Sequence, residues 1–126
     1  MAIGQLKEDM TDAELALYTA ETLNCTGLRY TKADKRIKSV AVSGGAGGDG
    51  VKLAYSLGAD ALITGEIKHH QIIEANNLGL CVVDAGHFRT EDVVIEPLLL
   101  KLIDKFPEVS FKKSSIHTDN IYYVAK

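Results

Sequence analysis

Ile37-Lys38-Ser39-Val40-Ala41-Val42-Ser43-Gly44-Gly45-Ala46-Gly47-Gly48-Asp49-Gly50-Val51-Lys52-Leu53-Ala54-Tyr55-Ser56-Leu57 is the stretch that decides the fold. Val40, Ala41 and Val42 follow one another without a polar break, the pattern of a strand buried on both faces. Five glycines then fall within residues 44–50, a loop, and residues 51–57 read as a short helix with Gly58 as its stop. Downstream the alternation repeats. Ala61–Thr64 predicts a second buried strand, residues 67–77 a helix closed by Asn77 and Gly79, and residues 80–84 a third buried strand. A helix is predicted over 90–106, kinked or split by Pro97, with edge strands over 109–112 and 121–124. Upstream, Thr11 and Glu14 fit a capping box opening a helix that ends near Asn24 and Gly27, and residues 27–30 read as a weak strand. Strands alternating with helices imply βαβ crossovers. The fold expected is a single α/β domain over residues 1–126, a three-layer sandwich around a mainly parallel sheet with helices on both faces.

The bulk properties fit. Among 126 residues, 46% are apolar and 25% charged, which excludes disorder and low-complexity polymers. Fourteen basic against seventeen acidic residues give a net charge of -3, so general nucleic-acid binding is disfavoured. The basic run at 31–38 reads as a solvated connection, with a phosphate-facing patch as the alternative. Cys25 and Cys81 make no disulfide framework. Residues 1–10 lack the apolar core of a signal peptide, and no window approaches a membrane span. A cytoplasmic location and no membrane partner are expected.

In such sheets, ligands bind beyond the carboxyl ends of the strands. Three loops lie there. The first, Ser43 to Gly50, places Gly45, Gly47 and Gly50 in the spacing of a dinucleotide fingerprint, with Glu66 where a ribose-binding acid would stand. A tight turn packed closely against its neighbours is the competing reading. The second is Thr64-Gly65-Glu66-Ile67-Lys68-His69-His70, where Glu66 and His70 share a face only if the helix begins early. The third is Asp84-Ala85-Gly86-His87-Phe88-Arg89-Thr90-Glu91. If a helix begins near His87, its imidazole and the Glu91 carboxylate reach one divalent cation, and Asp84 is placed to hold the second ring nitrogen. A helix N-terminus repels cations, so a dication there needs carboxylates, which Glu66, Asp84, Glu91 and Asp92 can supply. The same dipole welcomes a phosphate beside the metal. His117, in a polar stretch, reads as surface loop.

The three loops, in this order and spacing, resemble the NGG-interacting factor three family, whose members are called GTP cyclohydrolase I type 2 homologues or dinuclear metal-centre hexameric proteins. The resemblance runs from about Gly4 to Tyr123 and corresponds to the C-terminal lobe of a two-lobe protein. It implies that His87 and Glu91 are metal ligands, with Thr64, Glu66, His70, Asp84, Gly44 and Gly45 lining the site. It implies two divalent ions (zinc, manganese or iron) per complete site, with the remaining donors supplied by an N-terminal lobe. It also implies a homo-oligomer and a metal-dependent hydrolase activity; for the missing lobe three readings stand open: the rest of a longer protein of which this is a piece, a separate N-terminal-lobe chain as another partner, or a second copy of this lobe. A non-catalytic metal-binding or assembly protein is the alternative, followed by a dinucleotide-binding domain.

Overall fold

The computed structural model describes residues 1–124. In chain order its elements are β1 (Ala2–Met10), α1 (Asp12–Thr22), β2 (Arg29–Tyr30), β3 (Ile37–Ser43), a 3-10 turn (Gly47–Gly50), α2 (Val51–Ser56), β4 (Ala61–Thr64), α3 (His69–Leu78), β5 (Cys81–Asp84), α4 (His87–Asp92) and α5 (Ile95–Lys105). The sheet runs β1-β3-β4-β5-β2. The three central strands are parallel, in register from Val40↔Ala61↔Cys81 to Ser43↔Thr64↔Asp84. The outer strands are antiparallel to their neighbours.

The consecutive apolar residues of β3, β4 and β5 divide between two cores because strand side chains alternate. Ala41, Leu62 and Val82 face α2 and α3, where Val51, Ala54, Ala75 and Leu80 complete the packing. Val40, Ala61, Cys81 and Val83 face the other way, against Leu15 of α1 and Ile37. Helices therefore cover both faces, as expected. The capping box that opens α1 is formed: the Glu14 amide donates to Thr11 Oγ1 at 3.3 Å, and the Thr11 amide donates to Glu14 Oε2 at 2.7 Å. Neither cysteine is bridged, and burial pushes the Cys81 thiol up to about 12. Among the described residues no helix is long and apolar enough to cross a membrane.

Four features depart from the sequence expectation. β1 was not anticipated, because only Leu6 and Met10 of this exposed edge strand reach the core. The last helical segment starts at His87 rather than Thr90 and breaks at Val93 and Val94, not at Pro97. Pro97 is the third residue of α5, inside the first turn, where an amide has no intrahelical acceptor to lose. The helix over 67–77 begins at His69 instead, because Ile67 is buried in the core ahead of it. Finally, 109–112 and 121–124 form no strands. The sheet edges are taken by β1 and β2, and Ile121 and Tyr123 lie over the loops at the carboxyl end of the sheet instead.

Candidate metal centre

The parallel register brings the ends of β3, β4 and β5 to one level, so the three loops that follow them meet. Glycine and threonine hold them together. The Gly45 amide donates to Thr90 Oγ1 at 3.0 Å and the Gly47 amide to Thr64 Oγ1 at 3.0 Å. The Gly65 amide donates to the Gly45 carbonyl at 2.9 Å, and the Thr64 hydroxyl donates to the same carbonyl at 3.2 Å. A Cβ on Gly65 would fall 2.8 Å from His87 Cα and 2.8 Å from the Gly45 oxygen, so this crossing admits no side chain. Thr64, fully buried, is a strut between loops. The amides of Gly45 and Gly47, which a dinucleotide pyrophosphate would need, are already consumed, and the close-packed turn is the reading the geometry favours.

On this platform α4 begins at His87 and places His87 and Glu91 one turn apart on one face, as the i, i+4 spacing predicted. His87 Nε2 lies 3.2 Å from Glu91 Oε2. His87 Nδ1 lies 2.9 Å from Glu66 Oε1, so the imidazole is braced between two carboxylates. Gly45, at φ 64°, makes room for them: a Cβ there would fall 2.5 Å from Glu91 Oε1 and 3.4 Å from His87 Cε1. Gly44 lies against the Thr90 carbonyl and lines the same cavity as His87 and Glu91, about 770 Å³ in volume.

Two expected neighbours are elsewhere. Asp84 does not brace His87. Its Oδ2 accepts from Arg29 Nε at 2.8 Å and its Oδ1 from the Gly86 amide at 3.3 Å, because β2 pairs Arg29 directly opposite Asp84. Glu66 takes the bracing role. His70 does not join Glu66, because α3 starts only at His69 and turns it away. It lines a separate polar cleft of about 320 Å³ with Asp49, Lys52 and Glu74.

Conversely, the site gains residues the sequence did not indicate. The His117 ring lies 4.9 Å from that of Phe88, and its Nε2 is 3.4 Å from Asp92 Oδ1. Lys113 donates to Asp92 Oδ2 at 2.8 Å, and this ammonium holds the Asp92 carboxyl below the usual carboxylate range. Asp92 is thus committed to the tail rather than to a cation beside His87. No spacing signal links residues 92 and 117; only the return of the tail over the loops brings them together.

The family model Duf34/NIF3 (NGG1p interacting factor 3) matches residues 1–120. A Staphylococcus epidermidis protein named GTP cyclohydrolase 1 type 2 homolog is 37% identical over 96% of this chain, which covers 34% of the relative. A Staphylococcus aureus protein, SA1388, superposes with a TM-score of 0.86 at 29% identity, over 97% of this chain and 36% of that one. A Bacillus cereus protein related to NIF3 gives a TM-score of 0.82 at 34% identity, over 97% of this chain and 35% of that one. The chain therefore spans about a third of the length of these relatives. With the family model covering nearly the whole chain and the sheet, loops and helices superposing on such relatives, the chain belongs to the NIF3 family.

Proposed function

We propose that this chain is the half-site of a dinuclear metal centre, contributing His87 and Glu91 as ligands to divalent ions, in a protein that carries out metal-dependent hydrolysis. The observation that carries the reading is the convergence of His87 Nε2 and Glu91 Oε2 to 3.2 Å over the space that Gly45 leaves empty. An imidazole nitrogen beside a carboxylate oxygen is a donor pair that zinc, manganese and iron all accept. Glu66 stands on Nδ1 and orients the ring with Nε2 toward Glu91; with the proton on Nδ1 the Nε2 lone pair would face a metal, the usual arrangement behind a metal-bound histidine.

A bound ion supplies Lewis acidity and an acidified water. The protein's own residues do the rest. Gly45 and Gly65 let the three loops close to contact distance, Thr90 and Thr64 pin them, and Glu66 holds the imidazole in one orientation. Two donors fall short of the four to six a divalent ion takes. Among the described residues no three His, Cys, Asp or Glu side chains form a complete set, since Glu66 occupies the far nitrogen of the ring. Completion by a second lobe, in the same or another chain, fits the length of the relatives, and so does a homo-oligomer. It also fits α5, which buries none of its residues although Leu98, Ile103 and Phe106 lie on one side of it.

Metal titration tests the reading. Zinc or manganese should bind the two-lobe protein with an affinity that His87→Ala and Glu91→Gln each lower at least tenfold, with the fold preserved by circular dichroism. Unchanged uptake in both variants overturns the assignment. Full metal uptake with no turnover of phosphate esters or nucleotides by the two-lobe protein favours a metal-binding or assembly role instead.

A further inference from the structure

Arg29 carries no motif in the sequence, yet the structure builds it into the site. The pairing of β2 with β5 sets Arg29 opposite Asp84. Its Nε donates to Asp84 Oδ2 at 2.8 Å, and Nη2 lies 2.8 Å from the same oxygen and donates to the Ile67 carbonyl at 2.8 Å. Asp84 is only 8% exposed, so the inner edge of the guanidinium is clamped between a buried carboxylate and a main-chain oxygen. The arginine side chain is nevertheless 64% exposed, and among the described residues no acceptor meets Nη1. Arg29 shares a cavity of about 420 Å³ with Glu66 and His87, whose apolar wall is Leu28, Ile121 and Tyr123. That volume is in the range of small-molecule sites.

A guanidinium clamped in this way has already lost the rotamer freedom that a free arginine gives up on binding. Its outer nitrogen keeps two N–H donors without a protein acceptor among the described residues, on a side chain that lines the cavity holding the imidazole. Without metal the local charge is unfavourable for anions: Arg29 is offset by Asp84, leaving Glu66 and Glu91. One divalent ion cancels those two carboxylates, and a second leaves the site positive. We propose that Arg29 is the anion-recognition residue of this site. Its ligand is an organic oxyanion whose charged head meets Nη1 and whose apolar body lies along Leu28, Ile121 and Tyr123. The proposal deepens the metal reading and rests on it for the net charge.

The test uses phenyl phosphate and, in a parallel arm, benzoate, titrated calorimetrically into the two-lobe protein with and without saturating manganese. Manganese uptake is followed separately by its magnetic resonance signal. Variants are Arg29→Gln and Arg29→Lys, the latter keeping a cation beside Asp84. With manganese bound, one of the two probes should bind the wild type at least tenfold more tightly than either variant, with manganese uptake of Arg29→Lys unchanged and its fold retained by circular dichroism. Charge-assisted hydrogen bonds account for a loss of that order. The preferred probe tells phosphate from carboxylate. A second readout needs no variant: with zinc in place of manganese, the Arg29 Nε–H resonance should shift on adding the preferred probe. If manganese binds but neither probe does, or both bind the variants as well as the wild type, the Arg29 proposal fails while the metal reading stands. If manganese does not bind and an Arg29-dependent probe affinity remains, the metal reading fails and Arg29 survives. Absence of both overturns both.

Discussion

Helices α1 and α5 have the same length, eleven residues, and opposite fates. α1 carries few large apolar residues, yet Leu15, Ala16 and Thr19 are buried under the sheet. α5 reads as the better amphipathic helix, with Leu98, Leu99, Leu102 and Ile103 on one side, and it buries none of its residues. An amphipathic pattern states that a helix has an apolar face; it does not state that the partner lies in the same stretch of chain. α1 finds its partner in β3, β4 and β5, whereas α5 joins neither core, with only Ile95, Leu99 and Leu102 half-buried. The same contrast separates the interlocked loops around His87 from the irregular tail beyond Phe106.

Core truncation is the strongest way to break this contrast. Leu15→Ala should cost about 2–5 kcal/mol of unfolding free energy, read from chemical denaturation, because Leu15 is fully buried. Equal sensitivity at Leu98, which is 48% exposed, would mean that α5 is covered after all. A smaller loss, about 1–3 kcal/mol, is expected for Gly45→Ala, which meets both the left-handed backbone and the Glu91 carboxylate. Metal uptake should fall with it, and a variant as stable as wild type would show that the loops are not interlocked.

Next comes Glu66→Gln. If the brace on His87 Nδ1 matters, metal affinity should drop roughly 10–100-fold with thermal stability almost unchanged. A variant with wild-type affinity would make Glu66 a bystander. The smallest effect is on the acid limb of the stability profile. Burial of Asp60 would raise its carboxyl, but hydrogen bonds from the Ser39 and Lys38 amides and the Lys35 ammonium outweigh it and hold it below the usual range. With the folded value below the unfolded one of about 3.9, this stabilisation is full above that pH and drains away as pH falls through the folded value. Asp60→Asn should therefore be less stable than wild type at neutral pH, and the gap should close on acidification. Leu98→Ala is expected to change the stability of this chain by no more than about 0.5 kcal/mol.

Much of the site could be read directly. The spacing of His87 and Glu91 is local, and a helix starting between Gly86 and His87 turns that spacing into proximity without help from the rest of the fold. The glycines of the first loop were visible too, but whether they cradle a nucleotide or let loops cross depended on what stood beside them. Thr64 and Thr90, 26 positions apart, answer that by taking the amides of Gly47 and Gly45. Asp84 and Glu66 show the limit most plainly. Sequence proximity favours Asp84 as the brace of His87, yet a two-residue strand delivers Arg29 to Asp84 and leaves the imidazole to Glu66.

From residue order alone came the alternation of strands and helices, the parallel core and the His87–Glu91 pair, because each is set by periodicity or by one helical turn. Which carboxylate orients the imidazole, where His70 and His117 come to lie, and which helix keeps an open apolar face were decided only in three dimensions. Those outcomes depend on strand register and on the path of the tail, which bring together residues tens of positions apart by contacts that no local pattern encodes.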